Sequence, residues 1–186
     1  MQIENYGAAY LDEARRSLRG NKRLAEGALA QLSDEEFFRV LDDGESNSIA
    51  VIVKHIAGNA RSRFTDFLTT DGEKPWRHRD TEFEIGANET RAALMASWEA
   101  GYKIVFDTLG SLQPEDLART VTIRGAEHSV LQAIHRATAH YAYHIGQIVF
   151  LAKHWRGKDW KTLSIPRGRS DEAGKEIEQK LRERRQ

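Results

Sequence analysis

The stretch SVLQAIHRATAHYAYHIGQIVFLAKHW, residues 129–155, decides the fold. Leu131, Ile134, Thr138, Tyr141, Ile145, Ile148, Val149 and Ala152 recur in steps of three, four and seven, the spacing of one face of an α-helix. The helix starts near Ser129 and runs to about Trp155. A helix this long and amphipathic must bury its stripe against other helices.

Working outward, three more segments carry the same period. Residues 6–32 place Leu11, Ala14, Leu18, Ala25, Ala28, Leu29 and Leu32 on one side. Residues 49–68 follow a loop ending in good caps and bury Ile49, Ile52, Val53, Ile56, Ala60, Phe64 and Phe67. Residues 88–109 align Leu94, Trp98, Tyr102, Val105 and Leu109. The first and third of these segments each end in a leucine and a capped acidic turn, at Ser33-Asp34-Glu35-Glu36 and Gln113-Pro114-Glu115-Asp116. Thr120-Val121-Thr122-Ile123 alternates like a strand, and Gly125-Ala126 can turn it back into a small β-hairpin before the last long helix. Four long helices with mostly short connections predict an all-α chain built as a four-helix bundle, a fold that holds metals and cofactors between facing helices.

Composition narrows the chemistry. There is no cysteine among the 186 residues, which excludes disulfides, thiolate metal sites and cysteine nucleophiles. Basic and acidic residues number 28 each, so no global field favours nucleic acid or an anionic membrane surface. Charge is nonetheless uneven: residues 156–186 hold ten Lys/Arg and six Asp/Glu, giving a +4 tail and a −4 body. The chain therefore reads as a bundle domain over 1–160 and a polar extension over 161–186, whose residues 171–185 form a short surface helix. No run approaches the roughly 18 apolar residues of a membrane span, and the first residues lack the pattern of a secretory signal, so the expected location is the cytoplasm. The Gly168–Lys175 stretch has the wrong spacing for a phosphate loop.

Seven histidines remain. At about 100° per residue, with Ile134 at zero, His140 falls near −120° and His144 near −80°. They share one edge of the stripe, one turn apart, as a pair that can present two imidazoles to one metal. Ala133 and Ala137 lie on the same edge and leave room beside them. His135 faces the other edge, while His78, His128 and His154 sit in a loop or at helix ends. On the second helix His55 borders the apolar face with Ser48, Ile52, Asn59, Ser62 and Asp66, and it meets the pair if the second and fourth helices are neighbours. From spacing alone two readings stay open, packed core-edge histidines or a three-histidine metal site. The pair lacks the glutamate of the zinc-protease pattern, since His140-Tyr141-Ala142-Tyr143-His144 has none.

Val53-Lys54-His55-Ile56-Ala57-Gly58-Asn59 and His140-Tyr141-Ala142-Tyr143-His144-Ile145-Gly146-Gln147-Ile148 resemble the DinB/YfiT-like superfamily of metalloenzymes. The segment Thr69-Thr70-Asp71-Gly72-Glu73-Lys74-Pro75-Trp76-Arg77 is similar to a subgroup known only as a domain of unknown function. The resemblance spans nearly the whole chain to about residue 160. It implies an up-down-down-up bundle, often a homodimer, and a divalent metal, nickel or zinc foremost, with iron and copper also compatible with imidazole ligands. Carried onto this chain, the metal ligands are His55, His140 and His144. Some relatives are similar to S-transferases that use a low-molecular-weight thiol, which would come as a small-molecule cosubstrate, because this chain has no cysteine. Open positions on such an ion also suit activation of water. The other expectation is a non-catalytic metal- or ligand-binding stress protein of the same fold. Asn59 and Gln147 are expected as hydrogen-bond partners of the ligands or as donors to substrate, and Trp76 and Arg77 as covers of the site mouth.

Overall fold

A computed structural model describes residues 5–42 and 44–183. The chain is mostly helical, in the order α1 (Tyr6–Leu29), α2 (Asp34–Phe38), α3 (Ile49–Phe64), α4 (Arg91–Ser111), a hairpin of β1 (Thr120–Ile123) and β2 (Ala126–Ser129), α5 (Val130–Arg156) and α6 (Ser170–Glu183). Single 3-10 turns occupy Arg79–Phe83, Pro114–Ala118 and Gly157–Asp159. No helix among the described residues is long and apolar enough to cross a membrane.

Each long helix starts on a side-chain cap. Asn5, Ser48, Thr90 and Ser129 accept from the backbone N–H three residues on, and Ser129 with Gln132 closes a full capping box. Both acidic turns form: α2 carries the Ser33–Glu36 box, and the Pro114–Ala118 turn pairs Gln113 with Asp116.

Helix ends depart from the periodic pattern, and the reason is tertiary. α1 stops at Leu29 rather than residue 32, because Arg91 at the start of α4 donates to the carbonyls of Leu29 (2.6 Å) and Leu32 (2.8 Å). Arg15 of α1 does the same for α4, taking the Leu109 carbonyl with Nε (3.0 Å) and Nη2 (2.8 Å). α3 ends at Phe64 rather than 68: Asp66 turns to φ 47°, and Thr108 takes the Phe64 carbonyl at 3.0 Å. α4 begins at Arg91 rather than 88, after its Thr90 cap.

The long helices pack in a closed circuit: α1 on α5, α5 on α3, α3 on α4 and α4 on α1. The two arginine caps make α1 and α4 antiparallel. Tyr10 donates to the Leu131 carbonyl at 3.0 Å, so α1 and α5 start at the same end. Lys54 meets Glu89 near the start of α3 and α4, and Thr108 meets Phe64 at their finish, so these two run parallel. Their backbones approach closely at Gly101, where a Cβ would lie 3.1 Å from the Ala57 carbonyl oxygen and 3.2 Å from the Ala60 Cβ. The centre is filled by Trp98, Tyr102, Tyr141, Phe37 and Phe64, all fully buried.

Two parallel neighbours cannot be joined by a tight turn. The chain must travel back along α3, about 24 Å for its 16 residues at 1.5 Å each. This return segment, residues 65–90, is stitched to the hairpin rather than left loose. Asp71 accepts from the backbone N–H groups of Glu73 (2.6 Å), Arg124 (2.9 Å) and Gly125 (2.8 Å), and Gly72 donates to the Thr122 carbonyl (2.8 Å). Arg124 and Gly125, at φ 56° and 76°, make the positive-φ turn that a two-residue hairpin favours. Past residue 160 the chain still packs on the body: Gln31 pairs with the Lys161 backbone both ways, and Leu163 lies against Gly27. The expected tail helix appears as α6, with residues 184 and 185 outside the described residues.

Candidate metal centre

α3 and α5 are neighbours, and their contact brings His55, His140 and His144 together. One nitrogen from each ring lies within 4.8 Å of the others. His55 and His144 are buried and His140 half-buried. The Nε2 atoms of His55 and His140 are 3.3 Å apart. That matches the edge of a tetrahedron of nitrogens about 2.0–2.1 Å from a common ion, which is about 3.3 Å.

The far nitrogens explain why these atoms face one another. His55 Nδ1 lies 2.8 Å from Glu82 Oε2. A carboxylate only accepts, so Nδ1 carries a proton, which in the neutral ring leaves the lone pair on Nε2. His144 Nδ1 lies 2.8 Å from the Gln147 side-chain oxygen, which likewise fixes the proton on Nδ1. Its Nε2 is buried with no hydrogen-bond partner among the described residues. Burying a polar atom without a partner costs about 1–3 kcal/mol, and a cation shared with two neighbouring imidazoles would remove that cost.

Electrostatics keep the rings in the ligating state. Burial, then the neighbouring His144 and His55, then Arg63 and Arg77 push His140 down to about 3. Burial pushes His144 down as well, against the opposing hydrogen bond from Gln147. These two imidazoles are therefore neutral at neutral pH, as a metal ligand must be.

Glu82 was not legible from the sequence. It stands on the 3-10 turn of the return segment, buried, and is shared between His55 and Arg77. Arg77 grips it with two parallel bonds, Nε to Oε1 and Nη2 to Oε2, both 2.8 Å. Burial pushes the Glu82 carboxyl up, but Arg77 and His55 outweigh it and hold it below the ordinary carboxylate range. A carboxylate behind a ligating histidine fixes the tautomer and raises the basicity of the ring. One sequence signal bore on it: Gly58, three residues after His55 on an otherwise well-formed helix. A Cβ there would lie 2.3 Å from Glu82 Oε1, so only glycine lets the carboxylate reach His55.

The remaining expected residues fall as follows. Gln147 holds His144. Asn59 is buried but bonds no histidine, since its Oδ1 accepts from the Tyr141 hydroxyl at 3.2 Å. Arg77 reaches the site from beneath, through Glu82, and is itself buried. Trp76 does not cover the mouth: it is 44% exposed, lies under the Arg61 guanidinium and is absent from the cavity wall. His78, His135 and His154 are exposed, and His128 bonds its own hairpin backbone.

Above the histidines opens a cavity of ≈520 Å³. Ala133 and Ala137 of α5 form part of its wall, as small residues on the histidine edge should. Phe64, Phe67, Phe83 and Tyr143 give it apolar area, and five arginines give it charge. A volume of this size accepts a small organic molecule.

The profile of a family described as "Protein of unknown function (DUF1572)" matches residues 5–169, a span that holds every residue of the site. No curated protein matches the chain.

Proposed function

This chain belongs to the DUF1572 family of proteins of unknown function, and we propose that it is a metal-dependent enzyme acting on a small molecule in the cavity above His55, His140 and His144. The observation that carries the reading is the buried, unpartnered Nε2 of His144, set within reach of two further imidazoles, of which His55 has its outer nitrogen committed to Glu82. The helix directions support a bundle of the DinB/YfiT-like type, with α1 and α5 running one way and α3 and α4 the other. Three imidazoles suit nickel, zinc, iron and copper alike, and the resemblance to the DinB/YfiT-like superfamily puts nickel and zinc first. Bound there, a divalent cation supplies Lewis acidity, which makes a thiol or a water acidic enough to act as a nucleophile near neutral pH.

The rest of the work falls to the chain. Glu82 keeps the proton of His55 on Nδ1, and Gln147 does so for His144, so both rings present lone pairs inward. Arg77 holds Glu82 ionised and in place. Phe64, Phe67, Phe83 and Tyr143 give a substrate apolar surface to pack on beside the histidines. The resemblance points to a low-molecular-weight-thiol S-transferase, in which the thiol would arrive as a cosubstrate, since the chain has no cysteine.

The test uses the full chain stripped of metal and then loaded with nickel or zinc. It is given a chloronitrobenzene electrophile and a panel of small thiols. The thiol sulfur displaces chloride and its proton passes to solvent, so product absorbance reports turnover. Turnover that requires metal and disappears in His144→Ala is expected. Metal retention without turnover for any thiol would overturn the transferase reading and leave a binding protein.

A further inference from the structure

We propose that the same cavity recognises its ligand through an oxyanion, a carboxylate or a phosphate, seated on the arginines that line it. The proposal rests on the reading of this cavity as the substrate site, but not on the identity of the metal. Arg63, Arg77, Arg79, Arg124 and Arg136 all line the cavity, and no aspartate or glutamate does. Two carboxylates stand behind the wall. Glu82 is consumed by Arg77 and His55. Glu73 is spread over three guanidiniums, accepting from Arg124 Nε (2.8 Å), Arg63 Nη2 (3.1 Å) and Arg77 Nη1 (3.4 Å). Five positive charges thus line the cavity against two carboxylates behind its wall and the exposed Asp80 beside Arg79, a net positive surplus.

The donors are also unspent. Arg63 is 12% exposed at its side chain, and its Nη1 is buried with no hydrogen-bond partner among the described residues. Burial weakens its hold on the proton, and the Arg77 and Arg124 guanidiniums add to that against the opposing pull of Glu73. Arg124 uses only its Nε on Glu73. Arg79 has the exposed Asp80 at 3.7 Å and lies over the Phe83 ring, and Arg136 makes no hydrogen bond or ion pair among the described residues. A guanidinium with two free N–H groups matches the fork of a carboxylate or phosphate. Arg77 alone is structural, since every one of its nitrogens already has an acceptor. Arg63 comes from α3, Arg79 from the return segment, Arg124 from the hairpin turn and Arg136 from α5. Four separate elements therefore deliver unspent guanidiniums to one cavity beside the histidines.

Titration calorimetry on the full chain tests this, with inorganic phosphate and succinate as separate probes and succinamide as the uncharged control. Each is run at fixed ionic strength on metal-free and metal-loaded protein, because an anion that only ligates the ion would need metal. Saturable binding of phosphate or succinate to the metal-free chain, absent for succinamide, is expected, and the preferred probe tells phosphate from carboxylate. Arg63→Gln and Arg136→Gln should each weaken it about tenfold, the worth of one charge-assisted bond, with metal stoichiometry unchanged. Arg136 is exposed, so its variant keeps the test valid if Arg63→Gln does not fold. Binding that needs metal, binding equal for succinamide, or binding unchanged in both folded variants would overturn the proposal. If the chain takes no metal yet binds anions through these arginines, the metal reading fails and this one stands.

Discussion

The inner and outer walls of the cavity solve opposite problems. The inner wall is three imidazoles on α3 and α5: burial keeps His140 and His144 neutral, and Glu82 and Gln147 anchor the outer nitrogens of His55 and His144. The outer wall is arginine, permanently charged and only partly satisfied. Neutral lone pairs attract a cation, and free guanidiniums attract an anion. Glu82 and Arg77 join the two, because one carboxylate sets the His55 tautomer while pairing with one arginine. The difference teaches that burial alone does not set charge here. Glu82 and Arg77 are as buried as the histidines and stay ionised because each has the other.

Breaking that joint should have the largest effect. Glu82→Gln leaves His55 without a carboxylate and Arg77 without its counter-charge. Metal affinity should fall about 10–100-fold, read by competition with a chromogenic chelator. Removing one partner of a buried pair should also cost about 3–5 kcal/mol in chemical denaturation. Anion binding at the outer wall should hold or tighten, since a negative charge has been removed. Equal loss at both walls would say that they are one unit.

A gentler break is Gly58→Ala. The new methyl would start 2.3 Å from Glu82 Oε1 and must push the carboxylate off His55. Overpacking of this kind costs about 1–3 kcal/mol, and it should lower metal affinity without touching any ligand. Gly101→Ala, where a Cβ would lie 3.1 Å from the Ala57 carbonyl, is the matching control. It should destabilise the α3–α4 contact and leave metal affinity unchanged in the folded fraction. Thermal melts and metal titrations on both variants separate the two.

The effect that is smallest near neutral pH is the titration of the site. In metal-free protein the native state holds His140 down to about 3, whereas an ordinary histidine titrates near 6.5. Between those values the unfolded chain binds the proton and the native state does not. Stability contributed at this position is therefore full above about pH 6.5 and declines as pH falls toward 3. The melting temperature of the metal-free chain should drop over that window, and His140→Gln should flatten the slope. An unchanged slope would say that His140 is not desolvated.

Much of this was legible in the sequence, and the rest was hidden for identifiable reasons. His140 and His144 stand on one helix, so their spacing alone places them together. His55 was visible as a polar residue on an apolar edge, although its meeting with the pair required α3 and α5 to touch. Glu82 carried no periodic signal, because it sits on a 3-10 turn whose position depends on stitching between Asp71 and the hairpin. Arg63 carried no distinguishing signal in the sequence, and only the fold shows it with four other arginines around one space. Helix starts matched their side-chain caps to within a few residues. The ends of α1 and α4 were set by Arg91 and Arg15 from the facing helix, which no local pattern encodes. Trp76 was expected over the mouth and lies outside it, paired with Arg61, because the return segment turns Arg77 inward and its neighbour outward.

The central claim is that His55, His140 and His144 hold one divalent ion. Anomalous diffraction from crystals of the full chain grown with zinc or nickel tests it most directly. The account predicts a single strong peak about 2.0–2.1 Å from the Nε2 atoms of all three histidines, with Glu82 still on His55 Nδ1 and Gln147 still on His144 Nδ1. Imidazoles bonded to one another or to water in metal-loaded crystals, with no peak between them, would contradict it.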